Sequence, residues 1–266
     1  MSEPTQTHLT KIEDARILIS GGTAGVGLAC ARKFDSPGAS KVAINRRIVE
    51  RGEQARATLS AEFSGCDFHF LAADAGKTEE AIALGQEADG AMGGVDVLVN
   101  TTVSADPYPT LFHKIDIGDL EGMVMTQIMP HLLLSRVVMD GMRRQEGGVI
   151  VNIASDAGKV PTPGETVIGG LMAAIMMFTR TLAMATKRLG IRVNCVTPFI
   201  IRVTLTCDKV MPNGFSGKLF AKAVQMAQLG VATPDIMAKL ITFLASRAAA
   251  KMTGQTISLN GGISVA

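Results

Sequence analysis

The stretch RILISGGTAGVGLACAR, residues 16–32, decides the fold. Its first five residues, Arg16–Ser20, form an apolar run that predicts a buried strand, and the residues after position 27 predict the start of a helix. Between them lies a turn with Gly21, Gly25 and Gly27. Glycine lets a backbone approach an anion closely, and the first turn of a helix presents free N–H groups. This order therefore predicts a site for the phosphates of a dinucleotide, with a tight turn that binds no ligand as the alternative.

Outward from this stretch, apolar runs of strand length alternate with longer helical patterns. The runs are nearly continuous, as strands of a parallel sheet covered on both faces require. The pattern predicts a doubly wound, Rossmann-like parallel sheet in three α/β/α layers. We expect one domain over residues 1–266, with residues 205–230 as a small substrate lid. Besides Arg16–Ser20, the predicted strands are Lys41–Asn45, Phe68–Ala73, Val95–Asn100, Val149–Ala154, Val193–Thr197 and Thr256–Asn260, and the longest predicted helices are Thr78–Met92, Asp119–Met142 and Thr166–Leu189.

The composition indicates a folded globular protein and argues against several function classes. Of 266 residues, 47% are hydrophobic and 19% are charged, and the 26 basic and 24 acidic side chains leave a net charge of +2. This balance provides no electrostatic attraction for nucleic acid. The cysteines lack the close spacing of disulfide or metal sites, so we expect no metal and a reducing, cytoplasmic location. They are Cys30, Cys66, Cys195 and Cys207.

One apolar run, Val167–Ala185, approaches the length of a membrane-spanning helix. Arg180 and the pair Gly169-Gly170 interrupt the run, and a predicted strand and loop precede it. We therefore predict a helix that is buried in the protein or in a subunit interface, and no membrane partner. The first residues of the chain are polar and mixed in charge, so we expect no signal peptide.

Residues 148–192 read GVIVNIASDAGKVPTPGETVIGGLMAAIMMFTRTLAMATKRLGIR, and residues 20–27 have the glycine spacing S-G-x-x-x-G-x-G. Both patterns resemble those of the short-chain dehydrogenase/reductase family, over residues 14–264 in all. In that family a serine ends the strand and a Tyr-x-x-x-Lys pair lies on the next helix. Ser155 is present, but Ile168 stands at the tyrosine position and Met172 at the lysine position. The resemblance implies a dinucleotide-dependent oxidoreductase scaffold without its proton donor.

The resemblance also implies which residues bind the cofactor. NAD-preferring relatives place an acid at the end of the second strand, where this chain has Asn45, and the adjacent Arg46 suits the 2′-phosphate of NADP. We expect NADP, with NAD possible, although Arg46 and Arg47 can also be solvated arginines at a helix start. Asp74 flanks the adenine in the resemblance, or caps the next helix. The implied cofactor-binding residues are Gly21, Thr23, Gly25, Val26, Gly27, Arg46, Asp74 and Asn100.

For catalysis, the resemblance implies that Ser155 orients a carbonyl and that Gln127 replaces an asparagine of a proton relay. Ile168 and Met172 cannot donate a proton, so the usual mechanism should be slow. Lys159 and Tyr108 are candidate replacement donors, with ordinary loop roles as the alternative. Polar residues expected to line the cleft are Ser155, Asp156, Lys159, Glu165, Gln127, Thr101 and Thr102.

Two further departures from the family pattern lie near the nicotinamide end of the expected site. Val103 replaces a glycine after the fourth strand, and Phe199 replaces a glycine after the sixth. We expect both to crowd the nicotinamide. The family threonine that contacts the nicotinamide corresponds to Val203, with Thr204 one residue later.

The sequence leaves three functions open and does not identify a substrate. The protein is an oxidoreductase with a rearranged proton donor that acts on a small carbonyl or hydroxyl substrate, a cofactor-binding pseudo-enzyme, or a scaffold recruited to a non-redox reaction. The glycine turn favours the first two, and the altered motifs favour the last two. We also expect a homodimer or homotetramer joined by helices 119–142 and 166–189, because the second is apolar almost all round.

Overall fold

A computed structural model describes residues 12–35, 38–103, 109–212 and 214–266. Within these ranges seven strands form one parallel sheet in the order β3-β2-β1-β4-β5-β6-β7, with helices on both faces, which confirms the predicted fold class. The strands are β1 (Arg16–Ser20), β2 (Lys41–Arg46), β3 (Asp67–Ala72), β4 (Val97–Asn100), β5 (Gly148–Ile153), β6 (Ile191–Thr197) and β7 (Thr256–Ser258). The α-helices are α1 (Gly25–Asp35), α2 (Val49–Glu62), α3 (Thr78–Met92), α4 (Asp119–Arg144), α5 (Thr166–Thr186), α6 (Leu205–Val210), α7 (Gly214–Met226) and α8 (Pro234–Ala245).

The apolar core lies on both faces of the sheet because successive side chains of a strand point to opposite sides. On β1, Ile17 and Ile19 pack with apolar residues of α1 and α8, whereas Leu18 packs with residues of α3 and α4. All three side chains are fully buried. The central strands are therefore hydrophobic at almost every position, which is why their runs are continuous in the sequence.

The sheet order reverses at β1, which pairs with β2 on one side and with β4 on the other. Connections that leave the sheet in opposite directions at such a point open a crevice at the carboxyl ends of the strands. The glycine turn after β1, the loop after β4 and the Ser155 loop after β5 all follow the carboxyl ends of their strands. These three segments consequently share one edge of the sheet.

Most element boundaries lie within two residues of those predicted, and the earlier ends of α5 and β7 have a physical reason. Helix α5 ends at Thr186, and a 3-10 turn then leads to Gly190, whose φ of +73° stops the helix. Strand β7 ends at Ser258 because the side chain of Asn260 is buried and donates hydrogen bonds to Asp156 and to Ser264. The predicted lid, residues 205–230, contains α6 and α7.

Candidate functional site

The glycine turn between β1 and α1 has a backbone shape that side chains would disturb. Gly21 and Gly25 have φ angles of +75° and +51°, which L residues rarely adopt. A Cβ on Gly27 would overlap the carbonyl oxygen of Gly21. Helix α1 begins at Gly25, so its free N–H groups and positive dipole end lie at the turn and favour a phosphate there. Of the other two predicted residues, Thr23 is half-buried, whereas the side chain of Val26 packs in the core.

The residue that stands in the acid position, Asn45, has a structural role. Its side chain is buried, and its Nδ2 donates to the carbonyl oxygens of Leu71 at 2.9 Å and Ala73 at 3.1 Å. The amide therefore joins the ends of β2 and β3. An amide side chain at this position supplies hydrogen-bond donors to two carbonyl oxygens at the sheet edge. This role is independent of any cofactor.

Arg46 ends β2 at the crevice and is half-buried. Burial lowers the pKa of its guanidinium, and the positive charges of Arg47 and Arg51 lower it further. Three cations that are close enough to affect one another favour an anionic partner. This position therefore fits the 2′-phosphate that the sequence assigns to it.

Asp74 follows β3 on the same edge. Its Oδ2 lies 3.3 Å from Nη1 of Arg47, and its Oδ1 accepts a hydrogen bond of 3.1 Å from the backbone N–H of Gly76. Helix α3 has Lys77 at its N-cap and no side-chain cap. The interpretation of Asp74 as a helix cap is therefore wrong, and its carboxylate instead stabilises the preceding turn.

Asn100, at the end of β4, is directed into the sheet. Its Nδ2 donates to Oδ1 of Asn152 on β5 at 2.9 Å, and Nδ2 of Asn152 donates to the hydroxyl of Thr179 on α5 at 2.9 Å. All three side chains are fully buried. The next residue, Thr101, donates from its hydroxyl to the carbonyl oxygen of Ser20 at 2.6 Å, which fixes the β4 loop against the glycine turn.

Ser155 begins a short 3-10 turn, and its Oγ accepts a hydrogen bond of 3.2 Å from the N–H of Ala157. The turn packs directly on helix α5 because two glycines allow it. A Cβ on Gly158 would lie 2.5 Å from the backbone nitrogen of Ala173, and a Cβ on Gly169 would lie 2.8 Å from the carbonyl oxygen of Ala157. The half-buried serine hydroxyl is thus held at a fixed distance from the start of α5.

Apolar side chains lie on the face of helix α5 that packs against the turn after Ser155. Met172 is only 2% exposed, and Ile168 packs at the edge of the same cluster. The buried members of this cluster are Ala154, Met172, Ile175, Met176 and Cys195. Neither Ile168 nor Met172 can donate or accept a proton.

A model of the family described as short chain dehydrogenase matches residues 15–212 of the chain. The chain belongs to the short-chain dehydrogenase family. Nodulation protein G of a Rhizobium species is 32% identical over 251 residues, which are 94% of this chain and 97% of the relative. The 7alpha-hydroxysteroid dehydrogenase of Bacteroides fragilis is 30% identical over 261 residues, which are 97% of both chains. The solved structure of gox2181 is 26% identical and superposes with a TM-score of 0.84 over 94% of this chain and 96% of its own.

The structure argues against Lys159 as the replacement for the proton donor of this family. Its Nζ donates to the hydroxyl of Ser258 at 2.7 Å and to the carbonyl oxygen of Thr256 at 3.3 Å, both on β7. The same ammonium lies 4.0 Å from Oδ1 of Asp156. The proposal of Lys159 as donor is therefore corrected: its charge stabilises a contact between the Ser155 loop and the last strand.

Asp156, next to the serine, is fully buried by the C-terminal segment. Its Oδ1 accepts from the hydroxyl of Ser258 at 2.9 Å, and its Oδ2 accepts from the hydroxyl of Ser264 at 3.0 Å and from the amide of Asn260. These three donors and Lys159 compensate the buried charge. Asp156 therefore fixes the Ser155 loop and does not line the cleft as an accessible base.

Helix α4 carries the predicted relay residue Gln127 and a buried histidine. Gln127 is buried on α4, one turn before His131. The ring of His131 is fully buried, with Nε2 at 3.1 Å from the carbonyl oxygen of Ile153, and burial lowers its pKa to about 4. His131 is thus neutral at pH 7. Tyr108 lies outside the residues that the structure describes.

Glu165 is a buried carboxyl group at the start of α5, in the N-cap position. Burial raises the pKa of Glu165 to about 7, and a hydrogen bond with Thr162 opposes that rise. The sequence indicated only that Glu165 lines the cleft. A glutamate directly before an apolar helix and three residues before the family's tyrosine position was the available signal.

The sequence predicts that Phe199 crowds the nicotinamide, but the structure gives its ring a different contact. The Phe199 ring is directed toward the predicted lid and stacks edge-on with Phe220 of α7, with 6.0 Å between ring centroids. Val203, at the family threonine position, is 81% exposed and has a φ of +58°, a strained conformation for a β-branched residue. The side chain of Thr204 faces the glycine turn, since its Cγ2 would lie 3.6 Å from a Cβ on Gly25. Thr204, and not Val203, therefore lies at the glycine turn.

The described residues contain no group of three His, Cys, Asp or Glu side chains that could hold a metal ion.

Proposed function

We propose that this protein is an NAD(P)-dependent oxidoreductase that acts on a small carbonyl or hydroxyl substrate and prefers NADP. The glycine turn carries the proposal, because its two left-handed glycines and the close contact at Gly27 leave a backbone surface that suits a pyrophosphate. The similarity to a relative named as a hydroxysteroid dehydrogenase supports a substrate with a hydroxyl or carbonyl group.

The residues present fit the adenosine and pyrophosphate half of the dinucleotide. Gly21, Gly25 and Gly27 would hold the pyrophosphate at the start of α1, and Arg46 with Arg47 would bind the 2′-phosphate. When bound, the nicotinamide supplies or accepts the hydride. Ser155 has a hydroxyl that can donate to a substrate oxygen, and Ile168 and Met172 exclude water from the same region.

A second candidate function is cofactor binding without turnover, as in a pseudo-enzyme. It is favoured by Met172, which is buried in an apolar cluster where other members of the family place a lysine. The two candidates share the cofactor site and differ only in whether a proton donor reaches the substrate.

Titration calorimetry with NADPH and NADH tests the proposal, followed by single-turnover reduction of simple ketones. We expect NADPH to bind more tightly than NADH, and reduction to be slow. Equal affinities, or tighter binding of NADH, would remove the argument from Arg46. A protein that binds neither dinucleotide would remove the cofactor assignment.

We also propose that the protein is a cytoplasmic homodimer or homotetramer joined through α4 and α5. The segment Thr166–Leu189 has the length and composition of a membrane span, yet only 28% of its apolar window is buried within the chain. Met177 and Met184 on α5 are 57% and 64% exposed, and Val124 on α4 is 41% exposed. Thr179 joins α5 to the sheet, whereas Met177 and Met184 are exposed to solvent within one chain. A second copy of the chain would cover these apolar side chains.

The oligomer can be tested by light scattering of the native protein and of a Met177→Glu/Met184→Glu variant. Two buried charges at the subunit contact should produce monomers at micromolar concentration, whereas Met226→Glu on α7 should leave the native assembly unchanged. A native protein that is monomeric at this concentration would overturn the proposal.

A further inference from the structure

Glu165 differs from the other buried carboxyl groups that the structure describes. Asp96 pairs with Arg16 at 2.7 Å, and Asp156 is held by hydroxyl and amide donors of the C-terminal segment with Lys159 nearby. Glu165, which is 7% exposed, makes no ion pair with any described residue. A carboxyl group that is buried without a cation costs free energy unless it binds a proton.

The position of Glu165 places it beside the site of the missing tyrosine. Its carbonyl oxygen accepts a hydrogen bond of 2.6 Å from the N–H of Gly169, as the carbonyl of an N-cap residue does at the start of a helix. Ile168, which stands in the tyrosine position, is three residues later. The N-cap residue and the third residue of a helix lie next to each other, as they do in a capping box. The carboxyl group therefore lies near the face where the family presents its proton donor.

Contacts of the preceding residue, Gly164, bring two other segments close to Glu165. The carbonyl oxygen of Gly164 accepts from the N–H of Thr110 at 2.9 Å, and the ring of Phe215 on α7 lies against Gly164. The hydroxyl of Ser216 on α7 donates to the carbonyl oxygen of Pro109 at 3.2 Å. The predicted lid and the loop after β4 thus both contact the chain at or near Gly164, the residue before Glu165.

The surroundings of Glu165 leave its proton available near neutral pH. Burial and the Thr162 hydroxyl are the two causes that act on its pKa, and neither is a charge. On the neighbouring loop, the ammonium of Lys159 and the carboxylate of Asp156 bind to β7 and the C-terminal segment. On helix α7, the uncharged ring of Phe215 lies against Gly164, and the hydroxyl of Ser216 donates to the carbonyl oxygen of Pro109. A general acid is most effective when its pKa lies near the working pH.

We infer that Glu165 is the acid–base group of this site and delivers to the substrate oxygen the proton that a tyrosine delivers in other members of the family. The inference rests on the proposed function. In the reduction, the carbonyl carbon gains a hydride from the reduced dinucleotide, and the carbonyl oxygen gains one proton. The O–H bond of the Glu165 carboxyl breaks as the product O–H bond forms, and the carboxylate then takes a proton from water. Oxidation of the alcohol runs through the reverse steps.

The decisive variant is Glu165→Gln, which keeps the size of the side chain and removes the proton. Its matched control is Glu121→Gln, an exposed carboxyl group in the first turn of α4. Each protein is titrated with NADPH and is then mixed with 2,3-butanedione, a ketone reactive enough to report slow hydride transfer. Infrared difference spectra of native protein against Glu165→Gln follow the protonated carboxyl group across pH without any substrate.

We expect the infrared signal to titrate near pH 7, and Glu165→Gln to bind NADPH with the same Kd but to reduce the diketone at least about 100-fold more slowly. The native rate of reduction should fall as pH rises through 7, and Glu121→Gln should behave as the native protein. The acid–base role is overturned if the carboxyl titrates near 4, if Glu165→Gln keeps the native rate, or if native protein binds NADPH without reducing the diketone. Failure of native protein to bind NADPH overturns the proposed function itself.

Discussion

The two halves of the cleft differ in the kind of feature that defines them. The half formed by the glycine turn depends on backbone geometry, with left-handed glycines and a contact at Gly27 that excludes a side chain. The half beside α5 depends on side-chain chemistry, and there Ile168 and Met172 have replaced the family's polar pair. Backbone geometry is needed for the fold as well as for the cofactor, because α1 packs through Gly27. Side-chain chemistry can change without loss of the fold, provided that the new side chains pack.

The largest effect is expected from restoring the family pair with Ile168→Tyr and Met172→Lys. Met172 is 2% exposed in an apolar cluster, so the new ammonium should lower the free energy of unfolding by about 3–5 kcal/mol at neutral pH. We expect less than a tenfold gain in ketone reduction, on the order of 1 kcal/mol or less of barrier. Urea denaturation and single-turnover kinetics measure the two quantities.

Met226→Lys on the exposed surface of α7 is the control for this double variant, and it should leave stability nearly unchanged. A gain of several orders of magnitude in the rate of ketone reduction would contradict this prediction. The catalytic half would then be an intact reductase pocket that lacks only its acid.

The pH dependence of stability gives the next effect. The pKa of Glu165 rises to about 7 on folding from an ordinary value of 4.5, so the folded state binds this proton more tightly than the unfolded state. The resulting stabilisation is fully present below pH 4.5 and is lost as pH rises through 7. Between pH 5 and 8, native protein should lose about 2 kcal/mol relative to Glu165→Gln. Parallel urea-denaturation curves for the two proteins across this range would contradict the prediction.

Gly27→Ala tests the half that backbone geometry defines. Its Cβ would overlap the Gly21 carbonyl oxygen, so the turn must move, at a cost of about 1–3 kcal/mol in unfolding free energy and a large loss of NADPH affinity. Gly90→Ala on α3 is the matched control, because a Cβ there meets nothing within 4 Å. That variant should be as stable as native protein or up to about 1 kcal/mol more stable. Unchanged NADPH binding by Gly27→Ala would show that the turn does not hold the cofactor.

The smallest effect concerns Arg46→Ala at the adenosine end. Loss of one charge-assisted contact to a phosphate should weaken NADPH about tenfold, or roughly 1.4 kcal/mol, and leave NADH unchanged. Arg56→Ala is the control, since Arg56 pairs with Glu53 on the surface of α2. If calorimetric titration shows that Arg46→Ala weakens NADPH and NADH binding equally, Arg46 attracts both dinucleotides by its charge and does not recognise the 2′-phosphate.

The sequence predicted the sheet, its strand positions and the glycine turn, because these follow from local hydrophobic runs and from the conformational freedom of glycine. It did not predict that Asn45 joins β2 to β3, or that Lys159 binds to β7. Those contacts depend on residues far away in the chain, such as Leu71 and Ser258, whose proximity only the fold creates. The acid–base character of Glu165 was hidden for the same reason, since it depends on burial that only the fold produces.

The contact between Asp156 and Ser264 also limits how early the chain can complete its fold during synthesis. The two residues are 108 positions apart, and a ribosome that adds about 5–20 residues per second needs about 5–20 s to make the intervening chain. For most of that interval the carboxylate of Asp156 also lacks its donors Ser258 and Asn260, which are made shortly before Ser264. The nascent protein can therefore form its glycine turn early, whereas the loop that carries Ser155 reaches its final shape only after Ser264 has been made.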